Sequence, residues 1–284
     1  MFVVIGTGLR ADVDLGAETL EALGGFSAVG WWELERRQHR LEALAPTESI
    51  AQSGVAALAI VAPQLDARIA ALEDADWVRM SLDGLPPVPA RRFLVVGAHD
   101  LDKVRGGRIG ILVDAGEAFG TGHHATTLGC LIALDEELRR GRRARTVLDL
   151  GAGSAVLAMA AARLGARCIA TDIDPRAVEI AQINARLNRL TPRIHHVAAP
   201  GLNRPALRHR RFDLVFANIL LRPLVKLAAD IAGATRPGGR AILSGLLSNQ
   251  EPAVLRAYRQ RGFVLERRWR KEGWSALTLR KGGP

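Results

Sequence analysis

Residues 147–161 read VLDLGAGSAVLAMAA. A short apolar run (Val147, Leu148, Leu150), with Asp149 near its end, meets Gly151 and Gly153, and an Ala-rich apolar stretch with helical character follows at once. Strand, glycine turn and helix in direct succession form the opening unit of an open α/β sheet. They set a helix N-terminus and backbone amides over the carboxyl end of the strand, where such sheets bind nucleotides. Gly-x-Gly also occurs in ordinary strand-to-helix turns, so the turn by itself leaves the ligand open.

Spacing narrows the choice. A dinucleotide fingerprint needs Gly-x-Gly-x-x-Gly, and counting from Gly151 the sixth position is Val156. Asp149-Leu150-Gly151-Ala152-Gly153-Ser154-Ala155 instead resembles the turn of methyltransferases that use S-adenosylmethionine, with an acid two places before the first glycine; Ala155 stands where that pattern has a third glycine. About twenty residues on, at the distance where this layout holds a ribose, Arg167 to Thr171 reads as a second strand ending in Asp172, which can take both ribose hydroxyls. Asp174 followed by Pro175 reads as the N-cap and first position of the next helix, a structural role.

The totals bound the class. A chain of 284 residues holds one large or two modest domains. No apolar run reaches membrane-spanning length, and MFVVIGTGLR lacks the features of a secretory leader, so a cytoplasmic protein is expected. Cys130 and Cys168, the only cysteines, lie in apolar surroundings and are expected in the core. The net charge of +10 is unevenly divided: residues 1–90 carry 6 basic and 13 acidic residues, the remainder 33 and 16. An acidic first part suits a basic protein partner, and a basic second part tolerates RNA nearby.

Along residues 1–73, strands at Phe2–Ile5, Phe26–Leu34, His39–Ala45 and Ala67–Leu72 alternate with helices at Asp14–Leu23 and Glu48–Ile60, the βαββαβ order of a ferredoxin-like domain. Gly6-Thr7-Gly8 reads as a turn. Residues 74–90, with Gly84, Pro86, Pro87 and Pro89, read as a linker. From 91 to 284 the chain alternates as a doubly wound domain. Strands are expected at Phe93–Gly97 and Arg108–Val113, then a loop holding Gly116, Gly120 and Gly122 ahead of a helix at Thr126–Arg139. After the glycine turn come strands near Arg193–Val197 and at Phe212–Ala217, a helix at Pro223–Ala234, a turn at residues 236–239, a strand at Arg240–Gly245 and a helix at Glu251–Arg261. Phe263–Arg270 and Trp274–Arg280 form a closing hairpin. His123 and His124 are not read as metal ligands, because adjacent side chains diverge and no third ligand sits at metal spacing.

Five segments together carry a family resemblance: AFGTGHHATT (118–127), VLDLGAGSAVLA (147–158), ATDIDPRAVEIAQINARLN (170–188), DLVFANILLRPL (213–224) and RPGGRAILSGLLSNQ (236–250). In this order they resemble the ribosomal protein L-eleven methyltransferase family (PrmA type), with AFGTG and ANIL the most specific. The resemblance implies a Rossmann-like methyltransferase domain behind a ferredoxin-like one. It also implies that S-adenosylmethionine contacts Thr127, Gly151, Asp172 and Asn218. Gly153 and Asp149 belong to the same turn, and Phe119 is a candidate wall of the site. Glu117, His123, Ala125 and Ala155 depart from the family pattern.

The implied activity is N-methylation of lysine or N-terminal amino groups of ribosomal protein L-eleven, with Asn218 orienting the amine through its carbonyl. Alternatives at this point are an rRNA base methyltransferase, a non-catalytic assembly factor that binds S-adenosylmethionine, and, more distantly, a dehydrogenase.

Overall fold

The computed structural model describes residues 2–26, 28–33, 38–71, 87–113, 125–202, 207 and 210–283. The chain divides into two compact units, Met1–Met80 and Ser81–Pro284. The expected boundary at 73/74 falls outside the described residues, as does most of the expected linker.

In the first unit β1 (Phe2–Gly8), α1 (Arg10–Leu23), β2 (Ala28–Glu33), β3 (His39–Ala45), α2 (Glu48–Val61) and β4 (Asp66–Ala71) follow one another. The sheet order β2-β3-β1-β4, with β1 antiparallel to both neighbours, is that of a ferredoxin-like domain. Alternation along the strands sends Val4, Leu41 and Ala43 to a core shared with Val13 and Leu20 of α1 and Leu58 of α2. Gly6-Thr7-Gly8 is not the expected turn. It is the end of β1, held on one side by Leu41, Arg40 and His39. A Cβ on Gly8 would meet Leu65 Cδ2 at 2.8 Å, so glycine here admits close packing rather than a bend.

In the second unit a three-stranded sheet of β5 (Val88–Ala90), β6 (Phe93–Val96) and β7 (Ile109–Leu112) precedes α3 (Ala125–Arg139). The last residues of the expected linker are therefore a strand, paired to β6. There follow β8 (Thr146–Leu150), α4 (Val156–Arg163), β9 (Arg167–Asp172), α5 (Pro175–Leu187), β10 (Ile194–Ala198), β11 (Phe212–Asn218), α6 (Leu221–Lys226), α7 (Ala228–Ala234), β12 (Thr235–Leu247), α8 (Glu251–Arg259), β13 (Phe263–Lys271) and β14 (Trp274–Lys281). The seven-stranded sheet runs β10-β9-β8-β11-β12-β14-β13. Five strands are parallel, and the closing hairpin adds β14 antiparallel to β12. Successive residues face opposite layers: Val147, Leu214 and Phe216 join α3, α4 and α5 in one core, while Leu148, Leu150 and Val215 join α6, α7 and α8 in another.

Two expectations are corrected. The single helix at 223–234 starts earlier and is interrupted at Leu227 (φ −86°, ψ 4°), although the Leu227 amide still reaches the Pro223 carbonyl and the Ile231 amide the Leu227 carbonyl. The turn at 236–239 is a bulge inside β12: Phe212 pairs with Thr235, Leu214 with Arg240, and the four residues between loop out. Gly238 has φ +76°, and a Cβ on Gly239 would meet carbonyl oxygens of Arg236 and Asp213 at 2.9 and 3.0 Å, so both glycines are required.

Candidate functional site

After β8 the chain continues to β9 and β10 on one side, while β11 lies on its other side. This is the topological switch point at which open α/β sheets leave a crevice at the carboxyl ends of their strands. Asp172 ends β9, Gly151 follows β8 and Asn218 ends β11, so three adjacent strands deliver three predicted residues to one edge. Thr127, fully buried in the first turn of α3, joins them: Asn218 Nδ2 donates to Thr127 Oγ1 at 3.3 Å. Phe119, His123 and His124 lie outside the described residues.

The glycine turn is bonded internally. The amides of Gly151 and Ala152 both donate to the Thr171 carbonyl, at 2.8 and 2.9 Å, and the Gly153 amide donates to Asp172 Oδ2 at 2.9 Å. A dinucleotide site uses such amides to bind pyrophosphate. Here the neighbouring strand already holds all three, and the turn suits a nucleoside ligand without phosphates.

Asp172 takes a second amide, from Asp174, on Oδ1 at 3.1 Å. A carboxylate has about four acceptor positions, so two remain for hydroxyls. Asp174 caps α5 as expected, accepting from the Arg176 amide at 2.9 Å. Its neighbour in sequence and its neighbour in chemistry are thus one and the same: Asp172 is held in place partly by the turn that Asp174 begins.

Gly151 has φ +70°, and a Cβ there would sit 2.3 Å from Ile219 Cγ2. Gly245 in β12 approaches Ile219 from the other side, where a Cβ would lie 2.4 Å from the Ile219 carbonyl oxygen. Ile219 follows Asn218 directly, so two glycines on flanking strands fix the backbone that carries it. Ile219 and Gly245 escaped the sequence reading as site residues, although Ile219 lies inside the ANIL segment.

Asp149 is 1 % exposed and lies beneath the turn. Its Oδ2 accepts the Ala158 amide at 2.9 Å. Ala155, the N-cap of α4, has no side-chain acceptor, so Asp149 supplies from the strand what the cap lacks. Burial pushes its carboxyl up to about 7; the Ala158 amide opposes this and the Asp172 charge adds to it. Ala155 adopts φ +61°, the left-handed conformation natural to glycine, and keeps its methyl fully buried.

Asn218 Oδ1 is the most telling atom. It is buried and has no hydrogen-bond partner among the described residues. A buried acceptor without a donor costs about 1–3 kcal/mol, and a native structure that tolerates one at a crevice offers it to a ligand. Cys130 and Cys168 are buried in the core as expected, where burial raises both thiols far above their usual range.

Comparison with known proteins agrees with this geometry. The family model described as Ribosomal protein L11 methyltransferase (PrmA) matches residues 26–282. A ribosomal protein L11 methyltransferase of Caulobacter sp. (strain K31) is 41% identical over 283 residues, covering 98% of this chain and 97% of that protein. One from Bradyrhizobium diazoefficiens is 50% identical over 214 residues, covering 75% and 72%. The crystal structure of a ribosomal protein L11 methylase from Lactobacillus delbrueckii subsp. bulgaricus superposes with a TM-score of 0.62 at 30% identity, covering 69% of this chain and all of that one. A match over nearly the whole chain, to the family model and to relatives of this identity, has one meaning: the chain belongs to the ribosomal protein L11 methyltransferase family.

Proposed function

We propose that this protein transfers methyl groups from S-adenosylmethionine to amino groups of ribosomal protein L11, on lysine side chains, the N-terminal α-amine or both. The observation that carries the amine reading is Asn218 Oδ1 at the end of β11, buried and without a hydrogen-bond partner among the described residues. An amine brings the donors that this acceptor lacks. Asn218 Nδ2 donates to Thr127 Oγ1, which ties the amide to the first turn of α3 and supports its carbonyl as the free acceptor.

In this reading Asp172 holds the ribose, Gly151 and Gly153 allow close approach of the cofactor, and Thr127 and Asn218 line the side where the methyl group passes. Asp149 keeps the turn in shape. The cofactor supplies an electrophilic methyl on a sulfonium. The protein supplies alignment and exclusion of water, since charge only migrates from sulfur to nitrogen during the displacement. A lysine must first lose its proton; its ordinary pKa of about 10.4 falls when the amine is desolvated. Once the amine is neutral, Asn218 accepts one of its remaining hydrogens and directs the lone pair forward.

We further propose that residues 1–73 recognise the protein substrate, that 74–90 connect, that 91–284 carry catalysis, and that the protein works in the cytoplasm. The acidic excess of the first part supports the recognition role. Among the described residues no helix is long and apolar enough to cross a membrane.

The test is the intact mass of purified ribosomal protein L11 after incubation with the enzyme and S-adenosylmethionine, beside an Asp172→Ala variant. Successive methyl increments that disappear in the variant are expected. An unchanged mass with the native enzyme, under conditions where the cofactor binds, would remove L11 as substrate.

A further inference from the structure

The edge of the seven-stranded sheet opposite the glycine turn is lined with cations. Arg145 precedes β8, Arg167 opens β9 and Arg193 precedes β10; all three are exposed. Arg210 and Arg211, also exposed, precede β11. Because β14 runs antiparallel to β12, with Arg240 opposite Arg280, the hairpin returns Arg280 and Lys281 to the same edge. Arg261, exposed, precedes β13, so every strand of the sheet contributes to one basic strip, roughly 29 Å wide at the usual strand spacing. The segment RRGRRAR (139–145) between α3 and β8 thickens its middle.

Carboxylates neutralise only the inner layer. Asp213 pairs with Arg236, Glu137 with Arg142 and Arg240, and Glu266 with Arg142, Arg240 and Arg280. A cleft of about 310 Å³ is lined in part by Arg142, Arg143, Arg236 and Arg240, with Glu137 and Asp213 in its wall. Arg139, Arg140, Arg143 and Arg145 are exposed and have no ion-pair partner among the described residues. Like charges crowd here as well: the Lys281 ammonium is held below the usual lysine range by partial burial and by the nearby Arg211 charge.

We propose that this strip is an RNA-binding surface that grips the phosphate backbone while the opposite edge carries out methyl transfer. Three observations select RNA. The cations are arginines, whose planar fork fits phosphate oxygens two at a time. They form a strip suited to a backbone and not a closed pocket for one anion. Across the seven strands Val264 is the one exposed large apolar side chain at this edge among the described residues, which leaves a lipid bilayer little to take up. The proposal goes beyond the substrate reading above and rests on the placement and exposure of these arginines.

The test is fluorescence anisotropy of the full-length protein with a labelled RNA stem-loop across a salt series. It is compared with the variant Arg139→Gln/Arg140→Gln/Arg143→Gln/Arg145→Gln and with vesicles containing phosphatidylserine. The four side chains are exposed, so the variant should keep the native circular-dichroism spectrum and melting curve. Native protein should bind RNA with a steep salt dependence; the variant should bind about tenfold more weakly, its log–log salt slope shallower by about 3, as expected for the loss of four phosphate contacts. Absence of RNA binding by the native protein, or equal binding by the variant, would overturn the proposal. Arginine-dependent binding to vesicles but not to RNA would also overturn it, in favour of a membrane. Methylation of purified L11, followed in parallel, should be the same for both proteins; its failure in the native enzyme would count against the proposed substrate and leave the RNA result standing.

Discussion

Asn218 Nδ2 donates to Thr127 Oγ1 at 3.3 Å, joining the end of β11 to the first turn of α3 across 91 positions of sequence. That bond engages one end of the amide, and Oδ1 at the other end is buried without a donor among the described residues. A protein that holds an unsatisfied acceptor at this place gives up stability for a poised contact.

Replacing Asn218 by Ala should therefore separate function from stability. Methyl transfer should fall by about 10²–10³ in kcat, the scale for loss of one well-placed polar group at a reacting centre. Stability should stay within about 1 kcal/mol of native or rise, since the buried acceptor is removed along with its bond to Thr127. Single-turnover kinetics and urea unfolding on the same preparations check both halves. A large loss of stability would mean that Asn218 is chiefly structural.

Gly151 and Ile219 should behave as a coupled pair. Gly151→Ala places a Cβ 2.3 Å from Ile219 Cγ2 and also forces an L-residue to φ +70°. Strong loss of cofactor affinity is expected. Ile219→Ala removes the clash but not the backbone strain, so the double variant should recover part of that loss, with a coupling energy of about 1 kcal/mol or more. Strict additivity in isothermal titration would show that the contact has no influence on the site.

Ala155 offers a comparison of opposing small effects. Glycine there would relieve about 1–2 kcal/mol of left-handed strain, but it loses about 0.8 kcal/mol of methyl burial and adds about 0.5–1 kcal/mol of unfolded-state entropy. The terms nearly cancel, and Ala155→Gly should change stability by less than about 1 kcal/mol. Ala155→Val adds a branched side chain to a buried, left-handed position and should cost about 3 kcal/mol. Chemical denaturation of the two variants distinguishes them.

Asp149 makes stability depend on pH in a specific direction. Its carboxyl is raised to about 7 by burial, against an ordinary value of 3.8. Between these values the folded state holds the proton and the unfolded state does not, so the contribution of this group is present in full below pH 4. It declines as pH rises to 7, by about 4 kcal/mol in all, and is level above. Asp149→Asn keeps an acceptor for the Ala158 amide and removes the charge, so its stability relative to native should grow from pH 5 to pH 7. Parallel unfolding curves across that range would refute the assignment.

How much of this was legible before the fold was known varied with the range of the forces involved. Asp174-Pro175 as a helix start, the strands around Asp149 and Asp172, and the closing hairpin are written in short-range patterns: a cap, an apolar alternation, a glycine. Gly6-Thr7-Gly8 misled for the same reason, since glycine signals a turn locally while β1 is held straight by β3 and β4 on its two sides. The bulge at 236–239 likewise follows from pairing with β11 and not from the Pro-Gly-Gly signal alone.

The sequence by itself determined the order of elements, the glycine turn and the residues that end the central strands, because each depends on neighbours within a few positions. Only the tertiary structure decided that the turn amides are already bonded, that Ile219 is wedged between Gly151 and Gly245, that Asn218 Oδ1 is buried without a partner among the described residues, and that scattered arginines share one edge. These are relations between strands adjacent in the sheet and distant in the chain, and strand order is fixed by packing two helical layers onto one sheet, a choice no local stretch of residues contains.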